Sequence, residues 1–268
     1  MKNRIDVLLT EKGLAPTREK AKRVIMAGLV FVDGQRCDKA GAMVETDAQI
    51  EVRGSDCPYV SRGGFKLERA LNSFELDPAG WICLDIGSST GGFTDCLLQR
   101  GAKCVYAVDS GTNQLAWKLR SDPRVVCMEK YNFRYASPSD FADVMDFACT
   151  DVSFISLKHI LPAAAALLKD GAFMACLIKP QFEAGREQVG KNGIVRDRRV
   201  HEEVVRNVAG YALDSGFSVL AFDHSPVKGT KGNIEYLALL QRAEEPSCTA
   251  SDEMIRRIVD KAHEELDR

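Results

Sequence analysis

A chain of 268 residues with 45% hydrophobic and 28% charged residues has the composition of a globular protein, large enough for one domain and a small companion. It shows no signal-peptide pattern and no apolar run that could span a bilayer, so we expect neither secretion nor membrane insertion. Nine cysteines without a Cys-x-x-Cys pair lie mostly in apolar runs, which indicates buried thiols in a reducing cytoplasm and no zinc site.

Positive charge is concentrated at the N-terminus, although the whole chain has a net charge of −2. Residues 1–39 contain nine basic and five acidic side chains, which indicates a docking surface for phosphate groups. Apolar spacing, a cap at Thr17 and a stop at Gly28 predict two short helices that are followed by strands. The predicted elements are helices over residues 4–12 and 18–27 and strands over residues 29–32 and 49–52.

Two motifs in this segment resemble the S4 RNA-binding domain: Arg-x-Lys-Ala-Lys-Arg, which begins at Arg18, and the later Ala-Gly-Leu-Val-Phe-Val-Asp-Gly. The resemblance implies a small α+β domain, which we place at residues 1–57, and a solvated charged helix is the alternative. RNA contacts are predicted for these basic side chains, three of which lie in later segments: Arg4, Arg18, Lys20, Lys22, Arg23, Arg62, Lys228 and Lys231.

A domain boundary is predicted next, because residues 54–59 have turn composition and little periodicity. A helix is then predicted over residues 65–74, in which Lys66, taken alone, would be interpreted as a solvated lysine. We assign residues 58–64 to an interdomain linker, 65–242 to a second domain and 243–268 to a charged helical tail.

The stretch from Trp81 to Asp95 organises the rest of the chain. Its apolar run ends at Asp85 and breaks into small residues before a helical pattern resumes, which predicts a strand, a glycine-rich turn and a helix N-terminus. In an open α/β sheet such a corner binds a nucleotide-like ligand. Asp109 ends the next apolar run, where a carboxylate can accept hydrogen bonds from ribose hydroxyls. The Gly-x-x-x-Gly-Gly spacing, which starts at Gly87, differs from the dinucleotide fingerprint.

This stretch resembles motif I of class I S-adenosylmethionine-dependent methyltransferases, and an ordinary strand–helix connection is the alternative. The resemblance implies that Asp85 and the loop amides hold the methionine portion of S-adenosylmethionine and that Asp109 holds its ribose. The predicted cofactor-binding residues are Asp85, Gly87, Ser88, Ser89, Thr90, Gly91, Gly92, Phe93, Thr94, Asp109 and Asp151.

Apolar strands alternate with helical segments from residue 81 onward, which predicts an α/β fold. A polar loop over residues 223–233 leaves no room for a crossover helix, so the last two strands should pair antiparallel. The expected fold is a Rossmann-like, seven-stranded class I methyltransferase sheet whose last strand is antiparallel. The predicted strands cover residues 81–86, 103–108, 125–128, 145–150, 173–178, 217–222 and 234–240.

Charged residues lie where the chemistry is expected, at the carboxyl ends of the central strands. Asp151 and Lys179 each follow a buried strand, where a lysine is costly unless it is paired or used, and Glu235 begins the last strand. With Lys66 they resemble the Lys-Asp-Lys-Glu tetrad of FtsJ-like ribose 2′-O-methyltransferases. In combination with the S4 motifs, the chain resembles the TlyA (hemolysin A) family of rRNA methyltransferases.

This resemblance implies methyl transfer from S-adenosylmethionine to a cytidine 2′-hydroxyl in ribosomal RNA or ribosomal subunits, and we expect a monomer without a metal. Lys179 is the expected base, because desolvation and the charge of Lys66 would both disfavour its protonated form. Asp151 and Glu235 would orient the two lysines. A positive charge on Lys66 could stabilise the developing alkoxide.

Other interpretations stay open from the residues alone. The tetrad could be a structural network, the enzyme could methylate a base, or the chain could be a non-catalytic RNA-binding assembly factor. Base methylation fits less well, because no Pro-Cys nucleophile is present. A pore-forming cytolysin would need a membrane-active segment, and Ala163–Leu168 is too short for one. His201 has no evident partner in the sequence and receives no role.

Overall fold

The computed structural model describes residues 2–26, 28–53, 57–229 and 231–267. It divides into two compact units between Pro58 and Tyr59. Several predicted features fall partly outside the described residues. They are the two chain ends, the last residue of the second predicted helix (Ala27), residues 54–56 of the predicted boundary, and Thr230 of the polar loop.

The N-terminal unit packs two short helices against short antiparallel strands. Its elements are β1 Lys2–Arg4, α1 Ile5–Glu11, α2 Arg18–Met26, β2 Val30–Val32, β3 Gln35–Cys37, β4 Met43–Glu45 and β5 Ile50–Val52. β1 pairs with β4, and β2 lies between β3 and β5. The hydroxyl of Thr17 accepts a hydrogen bond from the backbone N–H of Lys20 at 3.2 Å, which confirms the predicted helix cap. Its fully buried core side chains include Ile5, Leu9, Ala21, Ile25 and Val30.

The second unit is an α/β domain built on one sheet. Its helices are α3 Gly63–Ser73, α4 Gly92–Gln99, α5 Trp117–Arg120, α6 Leu161–Leu167, α7 Pro180–Glu183, α8 Arg198–Asp214 and α9 Asp252–Leu266. Its strands are β6 Ile82–Ile86, β7 Cys104–Val108, β8 Val125–Met128, β9 Met145–Thr150, β10 Leu168–Ile178, β11 Phe217–His224 and β12 Tyr236–Arg242.

The seven strands of this sheet have the order β11-β12-β10-β9-β6-β7-β8. Only β12 runs antiparallel to its neighbours, β10 and β11, which confirms the predicted hairpin and the predicted antiparallel last strand. β10 begins at Leu168 and not at residue 173, because Leu168 pairs with Met145 ahead of an irregularity in the register. Glu235 precedes β12 instead of starting it, since the ladder with β11 begins at Tyr236.

Neighbouring parallel strands bring the predicted functional segments to one edge of the sheet. Ile86 of β6 and Cys176 of β10 are both register partners of Thr150 in β9. The residues that follow these positions therefore emerge side by side at the carboxyl ends of the three strands, where ligands bind in open α/β sheets. This places Asp151 and Lys179 next to the glycine-rich turn after β6.

Glycines allow α3 to approach the start of α4 closely. A Cβ atom on Gly92 would lie 2.3 Å from Ser61 Oγ and 2.9 Å from the backbone nitrogen of Gly64. A Cβ atom on Gly64 would lie 2.2 Å from the ring of Tyr59. A side chain at Gly92 would push the two helices apart and one at Gly64 would displace Tyr59, so these small residues determine where α3 presents Lys66.

The tail forms part of the second unit. α9 packs on α8 and β11, and it buries Ile255, Val259 and Ala262 in the core of that unit. Burial of this apolar stripe explains why a helix with a charged outer face is ordered there.

The alanine-rich segment considered for membrane activity belongs to the domain core. It covers the end of α6 and the start of β10, and Ala164 and Leu167 are buried. α6 spans seven residues, far fewer than the roughly 20 that a bilayer requires. In the described parts of the chain, no helix has both the length and the apolar character needed to cross a membrane.

Candidate active site

A cavity of about 670 Å³ opens at the carboxyl edge of the sheet. It is lined by residues from the start of α3, the glycine-rich turn, the loops after β9 and β10, and the loop before β12. All four tetrad residues line this cavity: Lys66, Asp151, Lys179 and Glu235.

Alternating charges connect the tetrad. Lys66 Nζ lies 2.7 Å from Glu235 Oε2 and 3.6 Å from Asp151 Oδ2. Lys179 Nζ lies 2.5 Å from Asp151 Oδ1, and it donates a hydrogen bond to Ser153 Oγ at 2.9 Å. Asp151 therefore pairs with both lysines, whereas the Glu235 carboxylate pairs with Lys66 and with no other cation among the described residues.

Burial makes this pairing necessary. The exposed fractions of Lys66, Lys179 and Glu235 are 9%, 8% and 2%. Burial lowers the pKa of Lys66, but the charges of Asp151 and Glu235 outweigh this effect and hold the pKa above its ordinary value. Lys66 is thus a permanent cation, while Lys179 has a single carboxylate beside it and a hydroxyl as its second polar contact.

Backbone geometry determines the position of Glu235. Its carbonyl accepts a hydrogen bond from Ser225 N at 2.9 Å, which closes the loop between β11 and β12. A Cβ atom on Gly229 would lie 2.4 Å from Glu235 Oε1, so the absence of a side chain there gives the carboxylate room.

The glycine-rich turn supplies much of the opposite wall of the cavity. A Cβ atom on Gly87, which has φ +84°, would lie 3.0 Å from Asp151 O, so this turn packs directly on the loop that carries the tetrad carboxylate. Of the predicted cofactor-binding residues, those that line the cavity are Gly87, Ser88, Ser89, Thr90, Gly92, Phe93 and Asp151. Those that do not line it are Asp85, Gly91, Thr94 and Asp109.

Asp85 and Asp109 lie behind this wall and hold the turn in place. Asp109 accepts hydrogen bonds from the backbone N–H groups of Ser89 and Gly111 at 2.8 and 2.7 Å. Asp85 accepts from the backbone N–H and the hydroxyl of Thr94, at 2.9 and 2.6 Å, through one carboxylate oxygen. Both carboxylates therefore connect the ends of neighbouring strands to the turn or helix beyond it.

The second carboxylate oxygen of Asp85 is the feature that fits a bound ligand. Asp85 Oδ1 is buried and has no hydrogen-bond partner among the described residues. Burial is the main reason why the pKa of Asp85 is raised to about 7. The nearby charges of Asp151 and Asp109 also raise it, whereas the hydrogen bonds from Thr94 lower it. An orphaned buried acceptor of this kind needs a donor from a ligand or a water molecule, and the donor-rich methionine end of S-adenosylmethionine fits it.

The predicted RNA-binding residues divide between the two units. Arg62, Lys228 and Lys231 line the cavity that also contains the tetrad. On the N-terminal unit, Lys22 and Arg23 are exposed and Lys20 is half-buried.

Arg4 and Arg18 form an ion cluster inside the N-terminal unit. Arg4 pairs with Asp6 at 2.9 Å and Arg18 with the same carboxylate at 3.0 Å. Asp6 is fully buried, whereas both arginines are exposed, so their guanidinium groups still border the surface.

Asp6 leads to a pH-dependent prediction. The hydrogen bond from Arg4, reinforced by Arg18, lowers the pKa of Asp6 to about 2. Because this value lies below the unfolded value of about 3.9, the cluster stabilises the unit above about pH 4, and the stabilisation is lost as the pH falls through about 2. We expect Asp6→Asn to lower the free energy of unfolding by about 1–3 kcal/mol at neutral pH and by much less near pH 2.

Urea unfolding of the full chain, followed through NMR signals of the N-terminal unit, measures this difference. Asp47→Asn removes an exposed carboxylate from the same unit and serves as the control. A destabilisation by Asp6→Asn that stayed constant from about pH 5 to about pH 2 would contradict the ion-cluster explanation.

Sequence reasoning missed several residues of the cavity wall, among them Ser153 and Phe154. Ser153 accepts the hydrogen bond from Lys179, and Phe154 is 87% exposed with φ +64°. The ring of Phe154 lies 5.0 Å from that of Phe182, whose centroid is 6.0 Å from Lys179 Nζ. The position of Ser153 and Phe154 just after Asp151, at the end of β9, was the available signal. The exposed ring of Phe154, beside the half-buried Phe182, offers an aromatic face to a ligand in the cavity.

The interpretation of His201 as a residue without a partner was wrong. His201 is fully buried and makes contacts at 2.7 Å with the Tyr236 hydroxyl and at 3.1 Å with the Val195 carbonyl. Its Nδ1 also lies 3.2 Å from Nε2 of His263 in α9. These partners are distant in sequence, so no local pattern could have revealed them.

Comparisons with known proteins agree with the two units. The profile of the FtsJ-like methyltransferase family matches residues 59–242, and that of the S4 domain matches residues 3–50. The chain is 53% identical over 268 residues to YqxC of Bacillus subtilis, which covers 99% of this chain and 95% of that protein. It is 43% identical over 239 residues to the 16S/23S rRNA (cytidine-2′-O)-methyltransferase TlyA of Mycobacterium tuberculosis, with 89% of each chain covered.

A solved structure agrees with these sequence relationships. The structure of a protein from Streptococcus thermophilus that carries the name hemolysin superposes with a TM-score of 0.81 at 53% identity. The match covers 99% of this chain and 97% of that one. The seven-stranded sheet with its antiparallel last strand is the class I fold of S-adenosylmethionine-dependent methyltransferases, as predicted. From its two domains, its fold and these relatives, the chain belongs to the TlyA (hemolysin A) family of S4-domain, FtsJ-like methyltransferases.

Proposed function

We propose that this enzyme transfers the methyl group of S-adenosylmethionine to the 2′-hydroxyl of a cytidine in ribosomal RNA. The observation that carries the proposal is the buried cluster of Lys66, Asp151, Lys179 and Glu235 beside the glycine-rich turn. The name of the Mycobacterium tuberculosis relative, a 16S/23S rRNA (cytidine-2′-O)-methyltransferase, supports the substrate.

The reaction requires a base, because a ribose hydroxyl is a poor nucleophile until its proton is removed. When bound, S-adenosylmethionine supplies an electrophilic methyl group on its sulfonium. Lys179, as a neutral amine, accepts the hydroxyl proton on Nζ, and Asp151 and Ser153 hold the ammonium that this step forms. Lys66, which two carboxylates keep charged, stabilises the negative charge that develops on the ribose oxygen.

The carboxylates position these two lysines. Asp151 holds both ammonium groups in one cluster, and Glu235 holds Lys66 from the other side. Preorganised charges of this kind act strongly in a site from which water is excluded, because they need not reorient during the reaction.

The cofactor would lie along the glycine-rich turn. The residues from Gly87 to Phe93 that line the cavity would contact it. Asp85, behind the turn, would accept a hydrogen bond on its unpartnered oxygen from the methionine end or from a water molecule that bridges to it. Asp109 would reach the cofactor ribose from its position behind Ser89. These residues are the ones predicted from the sequence to bind the cofactor, and the proposed roles follow from where each lies relative to the cavity.

The N-terminal unit would supply a second RNA contact. Its exposed cationic side chains include Arg4, Arg18, Lys22 and Arg23, and Lys20 is half-buried beside them. Because all four tetrad residues come from one chain, we propose that the enzyme acts as a monomer. Because the proposed substrate is ribosomal RNA, we propose that the enzyme acts in the cytoplasm.

Methyl transfer to ribosomal subunits and to naked rRNA tests the proposal. Labelled S-adenosylmethionine is supplied with subunits from cells that lack the enzyme, and the positions of 2′-O-methyl groups are then mapped. We expect label on the ribose of a cytidine. Label on a base would overturn the ribose assignment, and cofactor binding without transfer to any RNA would favour the assembly-factor interpretation.

A further inference from the structure

A second cavity, of about 260 Å³, borders the catalytic one. Lys228 and Lys231, in the loop between β11 and β12, line both cavities. Arg196, just before α8, and His263 and Asp267, at the end of α9, line the second cavity only. The two lysines therefore form a boundary between the proposed methyl-transfer site and this neighbouring space.

The second cavity carries a surplus of positive charge. Among the described lining residues Asp267 is the only acidic one, and both of its oxygens are occupied. Lys228 Nζ lies 2.7 Å from Oδ1, and His263 Nδ1 lies 2.8 Å from Oδ2. By contrast, Arg196 and Lys231 have no ion-pair partner among the residues that the structure describes, so their charges are available to a ligand.

The α9 wall of this cavity is connected to the catalytic strand. His263 of α9 lies 3.2 Å from His201, which in turn lies 2.7 Å from the hydroxyl of Tyr236. Tyr236 is fully buried and directly follows Glu235 of the tetrad. Asp267 contacts both His263 and Lys228, so these contacts connect the α9 wall and the Lys228 side chain to the reacting centre.

We propose that the second cavity is a phosphate subsite, in which Arg196 and Lys231 bind the RNA phosphodiester that adjoins the methylated nucleotide. The inference rests on the proposed function. A ribose held in the catalytic cavity has phosphates on both sides, so the RNA chain must leave across the cavity rim. On the side of the β11–β12 loop, that rim includes Lys228 and Lys231. Cationic side chains without internal partners are the groups that contact phosphates.

Charge removal at Arg196 tests the subsite. Arg196→Gln and Lys231→Gln are compared with Arg199→Gln, which removes an exposed positive charge three residues away that lines neither cavity. Methyl transfer to ribosomal subunits is measured over a series of salt concentrations. We expect each of the first two variants to raise KM about tenfold, with kcat almost unchanged, and to reduce the slope of log KM against log salt by about one.

Each possible outcome decides the inference. If the wild-type enzyme methylates RNA but Arg196→Gln and Lys231→Gln have a normal KM and a normal salt slope, the phosphate-subsite inference is wrong. An equal effect of Arg199→Gln would overturn it as well, because the effect would then reflect general surface charge. A third outcome is that inorganic phosphate alone inhibits methyl transfer at constant ionic strength, while the variants keep the wild-type affinity for RNA. The cavity would then bind a free anion and not the RNA phosphodiester, which overturns the inference. A wild-type enzyme that methylates no RNA would overturn the proposed function and this inference together.

Discussion

Replacement of Lys179 by alanine is expected to lower kcat between about 10²- and 10⁴-fold, the range of a lost general base, while S-adenosylmethionine still binds. The variant lacks the only tetrad atom that is placed to take the ribose proton in our mechanism. Lys179→Arg should be equally inactive, because a guanidinium group keeps its proton in proteins. Single-turnover methyl transfer, with cofactor affinity measured by calorimetry, separates chemistry from binding.

The arginine variant distinguishes two roles for Lys179. If the residue supplied only positive charge, Lys179→Arg would retain much of the activity. Lys103→Ala, at an exposed lysine of the same domain, is the matched control and should behave as the wild-type enzyme. Substantial transfer by Lys179→Ala would show that another group removes the proton.

Replacement of Asp151 by asparagine is expected to lower kcat by about 10²-fold, because a positioned charge would be lost from the reacting centre. Asp151 is the one tetrad carboxylate that contacts both lysines, at 3.6 Å from Lys66 and 2.5 Å from Lys179. An amide can still accept a hydrogen bond, but it no longer offsets two buried ammonium charges. Single-turnover transfer rates measure the loss, and Asp170→Asn, at an exposed carboxylate, is the control.

A double variant shows whether Asp151 acts through Lys179. If it does, Asp151→Asn combined with Lys179→Ala should be no slower than Lys179→Ala alone. Multiplicative losses would instead mean that Asp151 acts independently, for example on the cofactor. Unfolding curves of each variant identify any loss of activity that comes from loss of the folded state.

Local sequence was sufficient for most of the second domain. The strands β6, β7, β8 and β9 lie within one residue of their predicted limits, because their nearly continuous apolar runs are bounded by turn residues. The short strands β1, β3 and β4 of the N-terminal unit were not predicted. Each exposes two of its three residues, whereas the equally short β2 and β5 have no exposed residue and were recognised from their apolar side chains.

The tetrad residues were identified from the resemblance to a family and not from the periodicity of the sequence. Lys66 and Glu235 are 169 positions apart, and no spacing rule relates them. Taken alone, Lys66 would be an ordinary solvated lysine of an amphipathic helix, yet its exposed fraction is 9%. The family motifs identified it as a candidate, and packing of α3 against α4 accounts for its burial.

The sequence by itself determined the class of this protein: a basic N-terminal unit, an α/β methyltransferase sheet and the residue types of the proposed ribose methylation site. Those features depend on short apolar periods and on motifs a few residues long. Only the tertiary structure decided the rest. It paired His201 with His263, occupied both oxygens of Asp267 and formed a second cavity beside the first. The reason is that burial and charge balance depend on groups far apart in the chain, which only the packed fold brings within a few ångströms.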